Sequence, residues 1–223
     1  MCIRDSHFPI SNGPTVEHLL KRMPASIVQE WKDEVYKDWQ EYYRTIKDKV
    51  RVSKDPVLQE EFELARQVEQ RNPTEPIQPY GSTLLGVLAT PSFIFLFQIG
   101  DGDILSVTSN MQIQRMVSND VRLVANETTS LCAPDAVKDF RLKLDWIDGH
   151  NQTSTVPELI ILSTDGYANS FNTEQDFFKV GPDIIRTLRT RGATEIEQKR
   201  DEFKKEIESW LQTTTESGSG DDI

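Results

Sequence analysis

The chain has 223 residues, 37% hydrophobic and 27% charged. That suits one soluble domain with at most a small appendage, and it excludes a chain disordered along its length. The formal net charge of −11 repels a phosphate backbone, and no dense Lys/Arg run offsets it, which argues against a nucleic-acid partner. Cys2 and Cys132 stand apart with no CxxC pairing, so neither a disulfide framework nor a zinc site is indicated, and a reducing cytoplasm is the expected location.

Residues 1–6 (MCIRDS) show no periodicity and read as a remnant foreign to the fold, leaving 7–223 as the domain. Residues 7–24 are mixed, with turn formers at Asn12, Gly13 and Pro14. A long helix is predicted from Ser26, because Ile27, Trp31, Val35, Tyr42 and Ile46 recur at helical spacing among Lys, Asp and Glu. Trp31, Trp39, Tyr42 and Tyr43 read as core and groove-facing residues of that helix, and His18 as a surface residue. Asp55 and Pro56 predict a second helix, with the aspartate as N-cap and proline in the first turn. Three prolines within 72–80 predict a linker.

The pattern then turns to β. Residues 77–100 carry no charge and are long enough to cross a membrane. Thr90-Pro91-Ser92 interrupts them, however, and the flanks are rich in Leu, Ile, Val and Phe. Two buried strands joined by a tight turn are predicted, and no membrane span. Strands are expected at 82–89, 92–98, 103–107, 121–124, 141–147 and 158–163. Helical pattern resumes after Thr173, with breaks predicted at Pro182 and Gly192, and a last helix carries Ile196, Phe203, Ile207, Trp210 and Leu211. The cations in RTLRTR (186–191) suit a helix end. Helices, then closely spaced strands, then helices predict an α+β fold with antiparallel sheets.

Three acidic clusters carry glycine: Gly100-Asp101-Gly102-Asp103 and Thr164-Asp165-Gly166, each directly after a predicted strand, and Gly220-Asp221-Asp222 at the chain end. A buried strand that delivers Asp next to Gly places a carboxylate at a sheet edge and lets a ligand approach the backbone. Converging carboxylates repel one another unless a cation lies between them, and hard Mg²⁺ or Mn²⁺ suits all-oxygen donors. Asp-Gly is also a common turn dipeptide, so spacing alone leaves the metal site and the plain turn both open.

Four segments resemble, in order and approximate spacing, the later motifs of the protein phosphatase 2C family: GSTLLGVL (81–88), QIGDGDIL (98–105), ELIILSTDGYANSF (158–171) and SGDDI (219–223). NETTSL (126–131) brings the likeness closest to the bacterial branch. The resemblance covers roughly 81–223. It implies a four-layer sandwich of two antiparallel β-sheets flanked by helices. It also implies that Asp165 and Asp221 are metal ligands, and that Asp101 binds a further, weaker ion or supports the cluster. Gly166, Gly102 and Asn169 would support the site, with Asn169 standing where many members have a further Asp. Two or three Mn²⁺ or Mg²⁺ ions are implied in an intact domain.

The implied activity is hydrolysis of phosphoserine or phosphothreonine in signalling proteins by a metal-activated water. The implied partners are a phosphoprotein substrate and a cognate serine/threonine kinase. The family's early Asp-Gly-His motif does not occur upstream of residue 81, and the Asp148-Gly149-His150 triplet falls between later motifs and reads as a loop. No catalytic side chain is therefore assigned, and the chain is expected to be a domain cut short at both ends. A non-catalytic phosphatase-like domain that binds a signalling partner stays open beside the enzyme.

Overall fold

The computed structural model describes residues 13–71, 75–118, 128–147, 156–190 and 196–218. The chain divides into two compact units, Met1–Ser82 with Leu131–Phe140, and Thr83–Ser130 with Arg141–Ile223.

The first unit is helical. α1 spans Gly13–Val52 and α2 spans Pro56–Arg71. The helix is predicted to start at Ser26 after a mixed segment, yet α1 begins at Gly13 and runs through Pro24. Pro14 lies in the first turn, where a missing N–H has no helical partner to lose. Pro24 sits inside the helix at a cost of about 3 kcal/mol, offset by burial of Val16, Leu20, Val28, Val35, Trp39 and Ile46 at helical spacing. Val35 and Ile46 of the predicted stripe are buried, but Val28 and Trp39 take the core places expected for Ile27 and Trp31. Ile27 and Trp31 are half-buried and Tyr42 is exposed at the rim, donating to Glu61 at 2.9 Å.

Trp39, Ile46 and Ala65 form the core of the α1–α2 hairpin, with Tyr43, Phe62 and Val68 packed against them. Trp39 Nε1 donates to Glu69 at 2.6 Å, satisfying the one polar atom of the buried indole. Asp55 caps α2 as its position predicts, accepting the Val57 N–H at 3.0 Å. The three-proline stretch is more ordered than a linker over its described part. Glu75–Tyr80 winds into a 3₁₀ turn, Ile77 is buried, and the Tyr80 hydroxyl donates to Asp38 at 2.6 Å. A short helix, α3, spans Ala136–Asp139.

The second unit holds the sheets. Its strands are β1 Leu84–Ala89, β2 Phe93–Ile99, β3 Asp103–Val107, β4 Ile113–Arg115, β5 Arg141–Trp146 and β6 Leu159–Ser163. They form two three-stranded sheets, ordered β1-β2-β5 and β4-β3-β6, with every pairing antiparallel. The uncharged stretch is thus the β1–β2 hairpin, with its turn at Thr90–Ser92 closed by Thr90 N–H to Phe93 O at 2.9 Å. Among the described residues no helix is long and apolar enough to cross a membrane.

Ile94 and Leu96 of β2 meet Ile104 of β3, Met116 and Val117 in a buried cluster, with Leu85, Val87, Ile147 and Ile160 around it. By strand alternation Phe93 and Phe95 take the opposite face of β2, and both are also buried. That two-sided burial explains why FIFLFQI reads as continuous rather than alternating hydrophobicity. β4 was beyond pattern reading, being three residues long, and the strand expected at 121–124 lies outside the described residues.

α4 Asp165–Asn169, α5 Glu174–Thr190 and α6 Ile196–Ser217 complete this unit. Leu105, Tyr167, Phe177 and Val180 pack with Ile113, Ile161, Trp210 and Leu211, so these helices cover the second sheet. The break predicted at Pro182 does not occur, because α5 continues through it. Phe177, Val180 and Ile185 are each at most 2% exposed, and burying three such side chains outweighs one lost helical hydrogen bond. Gly181 lets the helix lie close to the sheet, since a Cβ there would stand 2.5 Å from Val107 Cγ2. Gly192 lies outside the described residues. The fold is α+β with two antiparallel sheets and flanking helices, as the element order predicts.

Candidate active site

β2 belongs to the first sheet and β3 to the second, so Gly100-Asp101-Gly102 is the corner where the chain changes sheets. Gly100 has φ 100°, a left-handed conformation that strains any other residue. Gly102 allows a close approach: a Cβ would stand 2.6 Å from Ser163 O and 2.8 Å from Leu85 Cδ1.

One neighbouring side chain and three from far along the chain hold this corner. Gln98 is 2% exposed, and its amide donates to Gly100 O at 3.4 Å and to Gly102 O. Arg141 donates to Gly100 O and, at 2.7 Å, to Ser118 O. Thr129 Oγ1 accepts the Gly100 N–H at 2.9 Å, and the Thr128 hydroxyl donates to the Asp101 carboxylate. None of these residues carries a site assignment from sequence. The usable signal was Gln98, the single polar side chain in FIFLFQI, since a polar group in a buried strand needs partners.

The second acidic turn follows β6. Thr164 leads into α4, whose first residue is Asp165. The last ladder pair between β3 and β6 is Asp103↔Ser163. Asp101 and Asp165 each lie two residues beyond that pair, so the topology brings both to one end of the second sheet. Both are half-buried. Asn169 Nδ2, one helical turn on, donates to Asp165 Oδ2 at 3.2 Å. Gly166 is buried in the first turn of α4.

Asp103 takes no part in the acidic edge. It is 5% exposed, and its carboxylate accepts from Arg115 Nε at 2.5 Å. Arg115 also donates to Glu174 in the first turn of α5 and lies over the Phe178 ring, 5.2 Å from its centroid. Burial alone would lower the Arg115 pKa, but the bonds from Asp103 and Glu174 outweigh it and raise it. Tyr167 adjoins the edge but is only 4% exposed, edge-on to Phe171 and Phe177. Burial pushes its phenol up to about 12, so it is neutral near pH 7 and packs rather than exchanges protons.

Asp221 and Asp222 lie outside the described residues, as do the His150 triplet and His7. His18 is exposed on α1, as expected. Among the described residues no three His, Cys, Asp or Glu side chains gather closely enough to hold a metal ion. The end of α6 meets the end of α4. A Cβ on Gly218 would stand 2.5 Å from Ser170 Cβ, directly after α4.

Two stacked antiparallel sheets with acidic turns at one sheet end define a two-sheet α+β architecture. The chain belongs to the Protein phosphatase 2C family, whose model matches residues 10–212. No curated protein and no solved structure shows a significant match. The family match extends upstream of residue 81, where the motif likeness began, and takes in the helical hairpin as well.

Proposed function

We propose that this phosphatase domain hydrolyses phosphoserine and phosphothreonine monoesters in signalling proteins, in the bacterial cytoplasm and opposite a serine/threonine kinase. The observation that carries the reading is the placement of Asp101 and Asp165 two residues beyond one ladder pair, at one sheet end, in a chain of this family.

The donor chemistry suits a hard divalent cation. Asp101 and Asp165 offer carboxylate oxygens, and the Asn169 amide offers a neutral oxygen one helical turn away. Gly102 keeps side-chain bulk out of the sheet end, and Gly166 is buried in the first turn of α4. Asp165 and Asp221 would hold Mn²⁺ or Mg²⁺ directly, and Asp101 would hold a further ion or support the others. Gly218 packs on Ser170, and the three residues from there to Asp221 span up to about 10 Å. That reach covers the length of α4, about 8 Å for its five residues. Bound ions supply an activated water and neutralise charge on the phosphoryl group. The chain's own part is to hold the carboxylates at a fixed separation on rigid strands.

A second reading is a non-catalytic domain that binds a signalling partner, favoured by the lack of Asp-Gly-His upstream of residue 81. Hydrolysis of a phosphothreonine peptide with Mn²⁺, compared between the wild-type chain and Asp165→Asn, separates the two. Turnover in the wild type that the substitution removes supports the enzyme. Turnover that survives Asp165→Asn overturns the ligand assignment, and Mn²⁺ binding without any turnover supports the binding domain.

A further inference from the structure

We propose that Thr128 is a positioning residue for Asp101, fixing the orientation of its carboxylate and thereby the strength of the weaker cation position. This rests on the phosphatase reading of the acidic edge.

Asp101 lies in a corner whose backbone is fixed on every side. Gly100 N–H is taken by Thr129 at 2.9 Å, Gly100 O by Arg141 and by Gln98, and Gly102 O by Gln98. Backbone fixing leaves the Asp101 side chain free to rotate about its own bonds. The hydroxyl of Thr128 removes that freedom by donating to Oδ2. A carboxylate oxygen that accepts one hydrogen bond keeps its partner oxygen, Oδ1, available to a cation. The arrangement is that of an outer partner orienting a ligand, as metal sites in general require.

Adjacent residues thus divide the work. Thr129 holds the main chain and Thr128 the side chain, and they reach their partners from 29 and 27 positions along the sequence. Thr128 is itself exposed, so its bond competes with water. Its effect belongs at the low end of the roughly 10- to 100-fold range for such partners.

The test titrates MnCl₂ into the full chain by calorimetry, beside the Mn²⁺ dependence of phosphopeptide hydrolysis. Thr128→Val keeps the branched shape and removes the hydroxyl, and Thr128→Ser keeps the hydroxyl. We expect Thr128→Val to weaken one class of Mn²⁺ site about 10-fold, with kcat at saturating Mn²⁺ and the metal-free melting temperature retained. Thr128→Ser restores the affinity. Unchanged Mn²⁺ affinity in Thr128→Val overturns the proposal, as does a Thr128→Ser defect equal to that of valine. Asp165→Asn separates the two layers. If wild type binds Mn²⁺ and Asp165→Asn does not, while Thr128→Val is silent, the positioning role alone falls. If wild type binds no Mn²⁺, the metal reading of the edge falls and this role with it.

Discussion

The two acidic turns of the sheet end are built by opposite means. The corner carrying Asp101 is held by Gln98, Arg141, Thr128 and Thr129, and all but Gln98 come from well down the chain. The turn carrying Asp165 is held locally, by the start of α4 and by Asn169 four residues on. A carboxylate on a helix start inherits its position from the backbone, whereas one at a corner between two sheets must be braced from outside. The first kind suits a fixed ligand, and the second suits a position whose strength can vary.

The largest test of this contrast is a pair of substitutions. Asp165→Asn is expected to cut Mn²⁺-dependent phosphopeptide hydrolysis on the order of 10²–10³-fold, as loss of a preorganised charge-stabilising group does. Asp101→Asn should cost only about 10-fold and should be recovered by added Mn²⁺. Equal losses in the two variants would erase the distinction between fixed and braced ligands.

Next in size is the packing of the corner. Gly102→Ala puts a methyl group 2.6 Å from Ser163 O, and relieving that contact must move either the corner or β6. Overpacking of this kind costs about 1–3 kcal/mol. Urea melts should show the loss, with activity falling further than stability because the displaced segment carries Asp101.

A smaller effect belongs to Tyr167, which anchors α4 and so the fixed turn. Its phenol is held near 12 in the folded chain by burial and returns to about 10 when unfolded. The folded state keeps its proton where the unfolded state loses it. Stability from this group is therefore full below pH 10 and declines as pH rises from 10 toward 12, by about 3 kcal/mol in all. Tyr167→Phe should flatten that part of the stability–pH curve. A decline of unchanged size in the variant would assign it to other groups.

Much of the sheet unit was legible in the sequence because its strands are apolar runs punctuated by Thr-Pro-Ser and Asp-Gly turns. β3 at Asp103–Val107 and β5 from Arg141 begin where composition predicts. The helical misreadings share one cause. The helix expected from Ser26 begins at Gly13 and runs through Pro24, and the break expected at Pro182 is absent, because tertiary burial outweighs a single lost hydrogen bond. Asp101 and Asp165 were legible as strand-edge acids. Their bracing was not, because Thr128 and Arg141 reach the corner from 27 and 41 positions away from their partners, and pattern reading sees only neighbours. The Asp101–Asp165 juxtaposition likewise needs the β3–β6 register, which no single segment encodes.

The smallest effect, and the most discriminating, lies at Asn169. Its amide donates to Asp165 at 3.2 Å across one helical turn. Asn169→Asp replaces that donor with a second carboxylate, and like charges at this spacing destabilise a helix by about 0.2–0.5 kcal/mol. A cation between them reverses the sign, because two carboxylates that repel one another share a divalent ion well. Asn169→Asp should therefore melt slightly lower than wild type in chelator and level with it, or higher, in Mn²⁺. Thermal melts under the two conditions read the difference directly. A deficit that is the same with and without Mn²⁺ would mean that Asp165 does not face the ion, and the locally held turn would then lose its claim to be the fixed ligand.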